Sequence, residues 1–350
     1  MAGPAPTDTR ADAPRIGTCC TFVDPDGEAD SVRPLNFRGP TVASIARAED
    51  SAERLHAVIR DNLDILDRQV ARMGALPRLE RLFRIQSGFL IGWSHPALAA
   101  VWTPGLRAEV AGRLARSGEA ARRADLRLSM HPAQHAILAT LNSSALDNAV
   151  RDIEEHGEIF AMLGFSGGWH PHGASVNIHG GARGAGVEGI RHGLTRLSAQ
   201  ARNLLTIEND ETSFGLDDLL HVADEVAIVL DFHHHWVMSG GEWILPGDPR
   251  IAGVAASWRG VRPLAHISVS RETVIPGHDP LRLPDFAALA AAGHKASKLR
   301  GHSDMMWNGA VNDFVAAHLA WTDVEVEAKA KNLAAAQLAD HVRALAGADA

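Results

Sequence analysis

VAIVLDFHHH, residues 226–235, is a run of five apolar residues that closes on an aspartate and, one residue later, three consecutive histidines. A short apolar run without alternation reads as a strand buried on both faces, the kind found in a parallel sheet. The stretch predicts a sixth strand over 226–235 whose last residues carry chemistry, with Asp231 and His234 aimed at one point. His233 is expected to turn towards packing, and His235 to sit in a loop.

Working outward from it, the same pattern recurs. RIGTCCTF (15–22), LFRIQSG (82–88), LRLSMHP (126–132), SVNIHGG (175–181) and LLTIEND (204–210) read as strands one to five. VRPLAHISVS (261–270) and TDVEVEAK (322–329) read as strands seven and eight. Helical periodicity fills the gaps at 50–73, 104–124, 146–163, 187–203, 214–224, near 284–294, at 309–319 and from the eighth strand to about 345. Eight alternations of strand and helix predict the α/β class and a single (β/α)8 TIM barrel over 15–346. Residues 1–14, rich in Ala, Pro and Asp, read as a disordered tail. The irregular pieces 164–174 and 236–260 are expected as loops over the top of the barrel.

Bulk composition narrows the function classes. The chain has 350 residues and a net charge of -8 with His neutral, so it is not a generically basic nucleic-acid binder. Almost all of its positive charge is arginine, which can still cluster locally. The two cysteines, Cys19 and Cys20, are adjacent, which predicts reduced thiols and excludes a disulfide framework. No segment has the apolar length of a membrane span or a secretory leader, so a cytoplasmic monomer is expected. The outlier is histidine, with nineteen residues, against no tyrosine at all.

The strand reading gives those histidines a place. Strands three to eight end in His131, His179, Glu208, Asp231, His266 and Glu327, with His234 just past strand six and His302 in the loop before the last helix and strand. In a barrel the C-terminal strand ends converge on one face, where active sites are built. Histidines and carboxylates crowded there would repel and desolvate one another without a cation. The eight therefore read as ligands, and eight exceed the needs of one ion, which predicts two or three divalent metals. Mixed His and carboxylate donors suit Mn²⁺, Zn²⁺ or Fe, and clustered ions suit phosphoryl chemistry. Within the set, Glu208, His234 and Glu327 are the candidates for catalysis.

The same residues carry a resemblance. FRIQSGFLIGWSHP (83–96), SMHPAQ (129–134), IHGG (178–181), IENDE (207–211), DFHHH (231–235), HIS (266–268), HSD (302–304) and EAK (327–329), in this order and spacing, resemble the UV damage endonuclease family. The resemblance implies a single barrel that nicks damaged double-stranded DNA on the 5′ side of UV photoproducts, leaving a 3′-hydroxyl and a 5′-phosphate. It implies a cluster of divalent metals, typically manganese, on the eight ligands named above. It also implies that Gln134 and His135 probe the lesion, and Arg183 in GGARGAG is a candidate for holding the DNA backbone. Three positions differ from the family: Leu264 stands where it has a modified, metal-bridging lysine, His135 where it has a probing tyrosine, and GTCC where an aromatic is expected on the first strand. These differences leave open a metal enzyme acting on a small molecule or peptide as isomerase, hydrolase or oxidase, for which a closed pocket under 236–260 would be the sign.

Overall fold

A computed structural model describes residues 13–348. Eight strands form a closed, all-parallel barrel in chain order: β1 (Ile16–Cys20), β2 (Leu82–Ile85), β3 (Arg127–Met130), β4 (Ser175–His179), β5 (Leu205–Glu208), β6 (Ala227–Asp231), β7 (Leu264–Ile267) and β8 (Asp323–Val326). β8 pairs with β1 through Ile16↔Val324 and Thr18↔Val326, which closes the ring. The expected (β/α)8 architecture is the observed one. Of the expected tail, residues 1–12 lie outside the described residues.

The strands alternate between two apolar environments and one polar one. Outward residues such as Phe83, Leu128, Ile178, Ile207 and Ile228 pack under the surrounding helices and are fully buried. Inward residues are unusually polar: Arg84, Ser129, Asn177, Glu208, Asp231, His266 and Glu325 are buried in the barrel. Below them Leu82, Ala227, Val229 and Leu264 pack with Trp258 as an apolar plug. Leu264 is therefore part of that plug. Gly17 on β1 is required by close approach, since a Cβ there would stand 2.5 Å from Leu82 Cγ. At the lower end, buried Asp323 accepts from the Arg15 backbone N–H at 2.8 Å, from Arg127 at 2.9 Å and from Arg262 at 2.8 Å, tying β1, β3 and β7 to β8.

Several sequence expectations are corrected. The sixth strand stops at Asp231, and Phe232–Ser239 is a helix. The reason is capping: the Asp231 carboxylate accepts from the His234 backbone N–H at 2.7 Å, satisfying one of the helix's free donors. His235 is accordingly not a loop residue; it is buried on this helix, 3.0 Å from Glu242. The expected loop 236–260 contains a further helix, Pro249–Ser257, capped by Asp248 and opened by Pro249. The segment 164–174 lies at the opposite end of the barrel from the strand termini, because the Gly173 carbonyl accepts from Arg127 at the start of β3. The helix expected over 187–203 is two, Gly186–Thr195 and Ala199–Leu204, divided where Ser198 caps the second.

Candidate metal centre

Register brings the polar strand ends side by side. His179 is level with Glu208, Asp231 with His266, and His266 with Glu325. Two overlapping groups result: His131, His179 and Glu208, and Glu208, His266 and Glu327, each with its donor atoms within 4.8 Å of one another. Glu208 belongs to both. Its Oε1 lies 3.1 Å from His179 Nδ1 and 3.5 Å from His131 Nε2, while Oε2 lies 2.5 Å from His266 Nδ1 and accepts from Asn177 at 2.6 Å. The other three sequence candidates stand around these groups without joining either. Asp231 Oδ2 is 3.5 Å from His234 Nδ1, His302 Nδ1 is 4.0 Å from Glu327, and the His234 ring faces both His179 and His302.

The side chains are oriented for the cleft by backbone carbonyls. His131 Nδ1–H donates to the Pro132 carbonyl at 2.8 Å and His234 Nδ1–H to the Asn209 carbonyl at 3.1 Å, so both present Nε2 inward. That tautomer is the one a metal-binding imidazole needs. His233 points away and donates to the Leu299 carbonyl at 3.1 Å.

Electrostatics point the same way. Burial opposes ionisation of Glu208, but His179 and His266 hold its carboxyl well below the usual range. Burial and the Arg84 charge lower the His266 imidazole, yet Glu208 and Glu327 push it up to about 10. His234 is likewise lowered by burial and pushed up to about 9 by Asp231, Glu208 and Glu327. Asp231 is raised by burial. Its Oδ2 and the Nδ1 of His179 are buried and make no aligned hydrogen bond among the described residues, Glu208 Oε1 lying near His179 Nδ1 but off the hydrogen-bonding direction. Orphaned donors of this kind, beside carboxylates that draw protons onto neighbouring histidines, fit a divalent cation.

The centre floors an open cleft of about 840 Å³ bordered by Gln134, Gly181, Ala182, Glu211, Ser297 and Arg300. No residue of 236–260 borders it. Gln134 reaches this cleft, while His135, on the same loop, lines a neighbouring cavity 4.0 Å from Asp152. Arg183 is exposed beside Gly181 and Ala182 and donates to the Ser213 carbonyl at 3.2 Å. Cys20, in the left-handed region at φ 66°, also borders the cleft, whereas Cys19 is buried.

Two groups at the centre were not among the sequence candidates. Arg84 on β2 contacts Glu325, Glu327 and His266, and Glu325 on β8 also accepts from Ser129. A signal existed for both. Arg84 is a charge flanked by apolar residues inside a strand, and DVEVEAK alternates its acids at the strand period, which puts Asp323, Glu325 and Glu327 on one face.

A family model described as UV-endonuclease UvdE matches residues 15–349. Among curated proteins, the chain is 29% identical over 201 residues to a UV-damage endonuclease of Neurospora crassa and 31% identical over 171 residues to that of Schizosaccharomyces pombe. These alignments cover 54% and 46% of this chain but only 30% and 28% of the fungal proteins. A UV DNA damage endonuclease of Bacillus cereus is 24% identical over 316 residues, 85% of this chain and 86% of that protein. The crystal structure of SacUVDE superposes with a TM-score of 0.72 over 95% of this chain and 98% of that one, at 19% identity, and shares the fold. With a family model matched along nearly its whole length, the chain belongs to the UV-endonuclease UvdE family.

Proposed function

We propose that the chain is a divalent-metal-dependent DNA repair endonuclease that nicks the phosphodiester backbone 5′ to UV photoproducts or related lesions in double-stranded DNA. The observation that carries this reading is the pair of donor groups sharing Glu208 at the floor of a cleft open to a large substrate. Glu208 with His131 and His179, and Glu208 with His266 and Glu327, would hold two ions, with Asp231, His234 and His302 completing the cluster and able to hold a third. Mn²⁺ is the expected occupant, with Zn²⁺ or Fe compatible with the same donors. Bound ions would supply charge against the scissile phosphate and acidify the attacking water.

The chain's own residues do the rest. Asn177 fixes one oxygen of Glu208, so this carboxylate keeps a single orientation between the two groups. His234 is immobilised by the Asn209 carbonyl and offers Nε2 to the cleft, 3.7 Å from Glu211. Gln134, which borders the cleft, and His135 beside it on the loop after β3 are the candidates for probing the lesion, His135 by stacking its ring on a base. Arg300, which borders the cleft, and exposed Arg183, next to the lining residues Gly181 and Ala182, are the candidates for holding the DNA backbone.

The test uses Mn²⁺-loaded protein, a labelled duplex with one photoproduct, an undamaged duplex, and Glu208→Gln as control. Incision 5′ to the lesion, absent from the undamaged duplex and from the variant, is the expected result. Metal-replete protein that leaves the damaged duplex whole would overturn the proposal.

A further inference from the structure

We propose that Arg84 is a built-in cation of the metal centre, filling the position at Glu208, His266 and Glu327 in the ion-free chain, so that an ion enters there second and more weakly than at His131, His179 and Glu208. The inference rests on the metal-centre reading above.

Arg84 is buried on the inward face of β2 and its guanidinium is fully engaged. Nη1 donates to Glu327 at 2.6 Å and Nε to Glu325 at 2.7 Å, and Nη2 lies 2.7 Å from the Nε2 of His266. Two of the three residues of the second donor group are thus already bound to a positive charge. The first group has no such occupant: no arginine or lysine is hydrogen-bonded to His131, His179 or Glu208 among the described residues.

Position and charge set the two occupants against each other. The Arg84 guanidinium stands 2.6 Å from Glu327 and 2.7 Å from His266 Nε2, on two of the three residues of the second group. An ion bound to that group would place a second positive charge beside the buried guanidinium and would claim the same Glu327 carboxylate. An ion at the second group therefore requires Arg84 to move off both His266 and Glu327.

Glu325 makes such a release possible. It belongs to neither donor group, yet it is completely buried and accepts from both Arg84 and Ser129. A guanidinium that leaves Glu327 and His266 keeps this carboxylate as its partner, and remains paired at all times. The buried charge is moved by a side-chain pivot rather than stranded.

The experiment is a Mn²⁺ titration of the full chain by electron paramagnetic resonance, comparing the wild type with Arg84→Met and Arg84→Lys, each checked for folding by its melting curve. The wild type is expected to show a tight and a weak class of sites, and Arg84→Met to tighten the weak class by about tenfold or more. Arg84→Lys, which keeps the charge, is expected to stay near the wild type. A single class in the wild type, or a weak class unchanged or weakened in Arg84→Met, would refute the idea. If Arg84→Met does not fold, the wild type still decides it. With ¹⁵N-arginine labelling and diamagnetic Zn²⁺, the Arg84 Nε–H signal, identified by its disappearance in Arg84→Lys, should move only with the second equivalent. Movement with the first, or none, overturns the proposal. Failure to retain any Mn²⁺ sinks the metal-centre reading too, whereas tight Mn²⁺ binding without DNA incision removes the nuclease reading and leaves this one to its own titration.

Discussion

Glu208 is the residue on which the centre turns, because its two oxygens face two different donor groups. Changing it to glutamine removes one negative charge from both groups while keeping the bond to Asn177 available. Bound Mn²⁺, measured by elemental analysis after desalting, should fall below one ion per chain, and incision should drop by about 10²-fold or more. A second single-residue effect lies far from the cleft. His170 is buried, donates Nδ1–H to the Ala174 carbonyl at 2.9 Å, and is pushed down to about 3 by burial. His318, under the same influence, is pushed down to about 4. Both stay neutral in the folded chain while the unfolded chain takes up protons below about pH 6.5. The stability they contribute is complete above that pH and is lost as pH falls towards the folded-state values. Each adds a slope of about 1.4 kcal/mol per pH unit in that window. Urea unfolding of chelator-treated protein should therefore show a shallower acid limb in His170→Asn than in the wild type, and equal limbs would contradict the assignment.

At the scale of elements, the junction of β6 with the following helix carries two duties on one side chain. Asp231 Oδ1 caps the helix at the His234 backbone N–H, while Oδ2 is left over for the centre. The two duties separate by substitution. Asp231→Asn keeps a capping oxygen and loses the charge, so its melting temperature in chelator should stay close to that of the wild type while Mn²⁺ affinity falls about tenfold or more. Asp231→Ala loses both, and should cost an additional ~1 kcal/mol or more of stability. Equal stability of the two variants would show that the cap is not what holds this helix start. The junction also places His233 away from the cleft and His234 into it, a division that follows from adjacent positions on one helical turn rather than from strand alternation.

Over the whole molecule, charge is distributed unevenly. The net charge is -8, yet all four lysines, Lys295, Lys298, Lys329 and Lys331, lie within the last 56 residues. Lys295 and Lys298 are exposed and flank Ser297 and Arg300, which border the cleft. On the nuclease reading this rim holds phosphates, and an acidic protein binds DNA through one locally basic edge. Binding of a damaged duplex should weaken linearly in log–log plots against salt. Replacing Lys295 and Lys298 together with glutamine should reduce the slope by up to about 0.9 for every phosphate the rim no longer neutralises, with Mn²⁺ content unchanged. An unaltered slope would place the DNA elsewhere. Among the described residues no helix is long and apolar enough to cross a membrane.

The chain itself determined the barrel and the ring of polar strand ends. Apolar runs near residues 16, 82, 127, 175, 205, 227, 264 and 323, separated by helical periods, admit few other arrangements, and in a parallel barrel the ends of those runs must meet. Local chemistry such as the aspartate before three histidines was legible for the same reason, since a polar side chain at the C-terminal end of a strand buried on both faces is kept where it reaches the cleft. Tertiary structure alone decided which donors come within reach of one ion. His131, His179, Glu208, His266 and Glu327 fall into two groups, while Asp231, His234 and His302 stand around them, because the register between neighbouring strands sets each side chain's height. Only the closed barrel could show that Arg84 and Glu325, distant in the chain, share its interior with those donors. Two opposite charges of that kind can be buried only against each other, and which residue answers which is settled by the ring of strands that surrounds them.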